Sequence, residues 1–319
     1  MDWAAHPTVP RRRLRLAVSA VVVLAALALG TASASAAPAP TAFHGFVLDD
    51  GRYTTFDVPG ATTKTVVGGS NDRGQLVGQY TDARGEHGFL RDARGRITRI
   101  DVPGARSTSA AKINNRSQIV GFSTQTGSLE DPNSSRRGYL LDRGRYVRID
   151  VPGAVDTQPT GINNRGQVAG QYVDAAGGFH GFVRERGRFQ TIDAPGAVGT
   201  SLVDINDRGQ LLGARVEPDG TVRGFVLEAG RSTTFAPTGA TVVAAFDINN
   251  RGQIVGSAYS DPTTAAGRGF LLARGARGPV TPINFPGAAN TVVTGINDRG
   301  LIVGAYQNPG AAPRRPAAT

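Results

Sequence analysis

From residue 44 to residue 306 apolar and polar positions alternate in short runs, broken every few residues by Gly, Pro, Asn or Asp. RYVRIDV (145–151) shows the period, with Tyr146, Arg148 and Asp150 on one face and Val147, Ile149 and Val151 on the other. That is the two-residue repeat of a β-strand. GYLLD (138–142), RYVRIDV, PTGIN (159–163) and QVAGQY (167–172) place four such runs in close succession. Beyond the first 36 residues, no run keeps a 3.6-residue period for longer than a turn.

The whole pattern recurs. A Gly-aromatic pair follows a basic residue in HGF (44–46), HGF (87–89), RGY (137–139), HGF (180–182), RGF (223–225) and RGF (268–270). Its glycines, Gly45, Gly88, Gly138, Gly181, Gly224 and Gly269, are spaced by 43, 50, 43, 43 and 45 residues. In the same register run SNDRGQLVG (70–78), INNRSQIVG (113–121), INNRGQVAG (162–170), INDRGQLLG (205–213), INNRGQIVG (248–256) and INDRGLIVG (296–304). Asn at the first turn position and Gly at the fourth suit a type I turn closed by a left-handed residue, a tight hairpin. Ser117 takes the Gly position in the second copy, where strain or an altered turn is expected. Asp-Val-Pro-Gly (57–60, 101–104, 150–153) places Pro and Gly at the centre of a type II turn. Its Asp57, Asp101 and Asp150, continued by Asp193, read as structural positions whose carboxylates accept turn amides. Phe235 and Asn284 stand at the Asp position in the last two copies.

One such repeat cannot bury its own faces, so the copies must stack. A period of 40–50 residues with four short strands predicts an all-β chain, a six-bladed β-propeller. An open β-repeat solenoid is the alternative. The run before Ile-Asn is expected innermost, QIVG second, and the Gly-Phe and IDVPG runs outermost. The chain then opens with outer strands and ends with inner ones, which should pair and close the ring. The repeats span 44–86, 87–136, 137–179, 180–222, 223–267 and 268–307, after a lead-in at 37–43. Residues 308–319 read as a disordered tail.

The leader reads as an address. RRRLRL (11–16), an apolar run AVSAVVVLAALALG (17–30) and Ala34-Ser35-Ala36 form the three zones of a signal peptide, 1–36, cut after Ala36. Secretion by the general route is expected; the paired Arg leaves twin-arginine export open, and an uncleaved signal anchor is the third option. The chain has no Cys, which excludes disulfides, thiolate metal sites and a lipidated Cys. Of the net charge of +10, the leader supplies +3, leaving +7 for the rest. Only Lys64 and Lys112 of the 35 basic residues are Lys.

HGFVLDDGRYTTFDVPGA together with INDRGQIVG-type hairpins resembles the HAF-repeat family of bacterial extracellular proteins. The resemblance covers 44–306 and weakens at FAPTGA (235–240) and NFPGA (284–288). It implies an extracellular, propeller-like protein and carries over no catalytic residues.

Candidate chemistry sits in three places. Every hairpin carries an Arg: Arg73, Arg116, Arg165, Arg208, Arg251 and Arg299. If the hairpins share a face, these ring the channel mouth and suit phosphate or carboxylate groups, although Asp72, Asp207 and Asp298 halve their charge. Just before Ile-Asn (Ser70-Asn71 in the first copy) the residues are Gly69, Lys112, Gly161, Asp204, Asp247 and Gly295. Asp204 and Asp247 could serve as acid and base on a polysaccharide, with Lys112 a binding candidate further round. Alternatively they bond backbone amides. The loop STQTGSLEDPNSSR (123–136), with Glu130 and Asp131, is about seven residues longer than its counterparts. It either shapes a binding face or is merely tolerated. The basic residues before Gly-Phe (His44, His87, Arg137, His180, Arg223, Arg268) are expected to stack on a neighbouring aromatic or bond a turn carbonyl. They do not converge as metal ligands. No metal, cofactor or nucleic acid is implied: the nucleotide, hydrolase and metalloprotease motifs are missing, and the few aromatics belong to the repeat. The leading expectation is a monomeric, secreted, non-catalytic binding module for anionic or carbohydrate cell-wall polymers. The rivals are a carbohydrate-active hydrolase or lyase and a protein-interaction scaffold.

Overall fold

The computed structural model describes residues 42–131, 133–260 and 267–309. The leader and its cleavage site, residues 37–41 of the lead-in and residues 310–319 of the tail lie outside the described residues. Twenty-four strands fill the described chain, and none of its helices is long and apolar enough to cross a membrane.

The strands pair antiparallel in consecutive fours over 64–100, 107–149, 156–192, 199–235 and 242–283. The remaining four come from both ends of the chain. Phe43–Asp49 pairs with Arg52–Phe56 on one side and with Ile302–Gln307 on the other, and Ile302–Gln307 pairs in turn with Asn290–Ile296. The first strand of each four is the one that ends in the Asn hairpin, and QIVG is the second.

The turns form as their chemistry dictates. Gly74 N donates to Asn71 O across 3.2 Å with Gly74 at φ +76°, and each later hairpin repeats the bond. Ser117 is forced to φ +61°, and its hydroxyl donates to Gln75 Oε1 of the preceding hairpin at 2.7 Å. Ala61 N donates to Val58 O around Pro59 and Gly60, the expected type II arrangement. One register expectation fails. Phe235 pairs with Gly224 as Phe56 pairs with Gly45, so Ala236, not Phe235, occupies the Asp position. Pro237 is drawn one place earlier in its turn, which closes from Ala240 N to Pro237 O.

The core lies between successive fours. Phe46, Phe89, Phe182, Phe225 and Phe270 are at most 2% exposed, each lying over the Gly of the neighbouring strand. A Cβ on Gly78 would come within 2.8 Å of the Phe89 ring and 2.0 Å of Val66 O, which is why only Gly fits there. Val120, Ile149, Ile162, Val168 and Phe182 show how one cluster draws on two consecutive fours. The outermost strands bury one face poorly: Ile149 is fully covered, yet Val147 on the same face is 43% exposed.

Each first strand carries a β-bulge at the same place, for instance between Leu202 and Asp204. The extra residue re-aims the side chains that follow. It turns Gly68, Ala111, Thr160, Val203, Phe246 and Thr294 toward a common interior space.

Candidate functional site

The hairpins gather on one face around a small mouth. Each repeat Asn caps its own turn: Asn71 Oδ1 accepts from Arg73 N at 3.1 Å and Gln75 N at 3.0 Å. Its amide then donates to the next hairpin. The chain of donations runs from Asn71 to Asn114 O, Asn163 O, Asn206 O, Asn249 O and Asn297 O, and Asn297 donates to Asn71 O. A second set lies outside it. The backbone N–H of Asp72 donates to Asn115 Oδ1, and the pattern passes through Asn164, Asp207, Asn250 and Asp298 back to Asp72. The mouth these residues frame has a volume of about 70 Å³, room for a few waters.

All six hairpin Arg are exposed and none lines the mouth. Asp72, Asp207 and Asp298 turn inward to amides rather than to the adjacent Arg, as when Asn250 Nδ2 donates to Asp298 at 2.6 Å and Asp207 at 2.9 Å. The Arg therefore form an outer circle, and its charge is least opposed at one place. Arg208, Arg231, Arg251, Arg274 and Arg277 line an open groove in which Glu228 is the lone acid, 3.5 Å from Arg208. The sequence carried a signal for this that the repeat pattern masks. The outer turns at Asp49, Asp92, Asp142, Glu185 and Glu228 each hold an acid, whereas ARGARG (273–278) holds none.

Asp204, Asp247 and Lys112 do come together, below the mouth. Lys112 Nζ lies 2.5 Å from Asp247 Oδ2 and donates to Thr294 O at 3.2 Å. Asp247 Oδ2 also accepts from Ile296 N, and Asp204 Oδ2 from Ile248 N. Burial, then the neighbouring Asp247 charge and a hydrogen bond to it, pushes the Asp204 carboxyl well above the usual carboxylate range. The cluster thus sets a carboxyl whose proton is held more tightly than usual beside an ion pair. A hydrogen bond links the two carboxyls, and each also accepts from a backbone N–H, as the alternative reading of these residues has it.

The long loop is strapped down. Glu130 Oε1 sits 2.6 Å from Lys64 Nζ, which also reaches Glu86 at 3.1 Å. Glu86 Oε2 accepts from Leu129 N at 2.7 Å, while Arg136 donates twice to Leu129 O and pairs with Asp156 at 3.2 Å. Burial and then the two carboxylates act in opposite senses on Lys64, and the carboxylates prevail: its pKa is raised. These partners were invisible in the repeat pattern, because each is a private residue of one copy. Between loop and Lys112 lies a cavity of about 190 Å³.

Of the basic residues before Gly-Phe, the three His lie against an aromatic ring: His180 stacks on Tyr172 at 5.0 Å, while His87 and His44 lie tilted against Tyr80 and Tyr306 at 5.4 Å. Their other partner differs from expectation. His44, His87 and His180 bond Asp57, Asp101 and Asp193 at 2.8–2.9 Å, and Asp150 accepts from Gly138 N and pairs with Arg148. The turn amides go instead to Thr hydroxyls, as Val58 N to Thr65 at 3.2 Å. Among the described residues no group of three His, Asp or Glu could hold a metal ion.

No family model and no curated protein matches the chain. Solved structures do. A protein assigned as TolB from Agrobacterium tumefaciens superposes with a TM-score of 0.60 at 10% identity, covering 84% of this chain and 99% of that one. TolB from Acinetobacter baumannii gives 0.53 at 12%, covering 84% and 64%. The β-propeller domain of the Trilobed protease from Pyrococcus furiosus gives 0.48 at 10%, covering 81% and 79%. At these identities the two TolB structures show a likeness of fold alone: an all-β chain of propeller type.

Proposed function

We propose that this chain is a closed, six-bladed β-propeller of the HAF-repeat kind. It is exported and acts as a non-catalytic binding module for anionic polymers of the cell wall. Closure rests on the antiparallel pairing of Phe43–Asp49 with Ile302–Gln307 and on the circle of Asn donations that returns to Asn71. The observation that carries the function is the groove of five exposed Arg opposed by Glu228 alone. Planar guanidinium groups bind phosphate and carboxylate bidentately, and at exposed sites they do so in a salt-dependent way. Lys112 is engaged with Asp247 and takes no part.

The test is co-sedimentation of the mature chain with cell-wall preparations, with and without their anionic polymers, at low and high salt. Retention should need the polymer, fall at least tenfold in high salt, and be lost in Arg251→Glu/Arg274→Glu. Retention on stripped wall at any salt would favour sugar contacts, and no retention at all would sink the wall-binding reading.

A further inference from the structure

The two strongest departures from the repeat close the same channel from opposite ends. Lys112 lines both the mouth and the interior cavity, so its bridge to Asp247 forms the floor between them. Leu129, Glu130 and Arg136 of the long loop line the cavity at its other end. Leu129 is only 5% exposed, unusual for the tip of a polar loop.

The wall between is apolar. Val66, Ala111, Phe122, Val203, Phe246 and Val292 face the space. Most of the polar groups there are already engaged with one another or with backbone. Thr160 donates to Leu202 O, Thr294 to Val67 O, Gln171 to Gln158 and Ser201 to Gln171. Gln158 donates to Asp156 at 2.7 Å, and Glu130 is held by Lys64. A water needs two to four polar partners, and this wall presents few. An apolar cavity of about 150 Å³ is known to stay dry and to take up benzene. The present cavity, about 190 Å³, is somewhat larger and has two Phe rings in its wall.

We propose that this cavity is a binding site for a small, mainly apolar ring compound, between benzene and indole in size, with loop residues 125–131 as its lid. Phe122 and Phe246 supply aromatic faces for edge or offset contact. The charged floor and the ion-paired lid exclude a ligand that carries a net charge. The site is independent of the Arg groove on the hairpin face.

Toluene is the probe, titrated calorimetrically into the mature protein and followed in parallel by thermal unfolding. Saturable one-to-one binding and a higher unfolding midpoint are expected. Val203→Phe and Ala111→Leu, which fill the space from different strands, should each weaken toluene binding at least tenfold while the protein stays folded by circular dichroism. Lack of saturable binding to the wild type would overturn the proposal. So would unchanged affinity in whichever filled variant remains folded.

Discussion

Lys112 and Asp247 meet across the interior, their side chains 2.5 Å apart, although their strands stand three places from each other in either direction round the circle of contacts. Glycines make the crossing possible. A Cβ on Gly69 would lie 3.1 Å from Lys112 Cδ, and one on Gly161 2.6 Å from Asp204 Oδ1. Both charged side chains are about 10% exposed. Removing one partner of such a pair strands the other. Lys112→Met should therefore cost about 3–5 kcal/mol in urea unfolding. Lys112→Met/Asp247→Asn should recover most of it, and equal losses in the single and double variants would show that the pair is not coupled.

The raised pKa of Asp204 has a definite sign. Its folded value lies above the unfolded value of about 3.9. The stabilisation by the neutral acid is complete below that unfolded value and is lost as pH rises through the folded one. Asp204→Asn keeps an oxygen for Ile248 N and gains an amide for Asp247. Its stability should match wild type near pH 4 and exceed it increasingly toward pH 9. Superimposable pH profiles of the denaturation midpoint would rule this out.

His180 behaves in the same sense on a smaller scale. Partial burial opposes its proton, but hydrogen bonds and charge from Asp193 and Asp174 outweigh that and raise its pKa above 6.5. The bonus is complete below pH 6.5 and drains as pH climbs through the raised value. The ring is 27% exposed on its side chain, so the effect should stay under about 1 kcal/mol. His180→Gln should flatten the stability profile above pH 6.5. Titration of the imidazole by NMR checks the direction, and a pKa below 6.5 would contradict it.

The Asn circle predicts unequal costs for equal changes. Asn206→Asp would turn a carboxylate toward Gln210 Oε1 and Asn249 O, where two N–H bonds now lie. A loss of about 2–3 kcal/mol is expected. At Asn297 the Gln partner is replaced by Leu301, leaving the single bond to Asn71 O at 3.2 Å. Asn297→Asp should cost clearly less. Thermal midpoints of the two variants side by side decide the matter.

What was legible in the chain was local. The hairpins, the Pro-Gly turns, the strand order in each four and the strained Ser117 are all written in adjacent residues, because turn chemistry acts over three or four positions. What escaped was pairing at a distance. Asp57 was expected to accept turn amides, but a Thr from the next strand takes them, freeing the carboxylate for His44. The Phe235 register slipped because Pro237 sits one place early. Asp204, Asp247 and Lys112 share one place in the repeat, just before Ile-Asn. That they neutralise one another depended on how far a Lys side chain reaches across a Gly-lined space. The loop's strap of Lys64, Glu86, Arg136 and Asp156 left no periodic trace at all.

The Asn donations all run in one rotational sense. Each amide gives its proton forward and each carbonyl receives from behind, so the dipoles add head to tail around the loop. Every link is a side-chain amide donating to a backbone carbonyl at 3.0–3.2 Å, and one hairpin cannot swing outward without breaking two of them. The aperture is in effect a rigid washer of fixed bore. Anything reaching the interior cavity without crossing the Lys112–Asp247 bridge must then come from the opposite end, beneath the loop that carries Leu129.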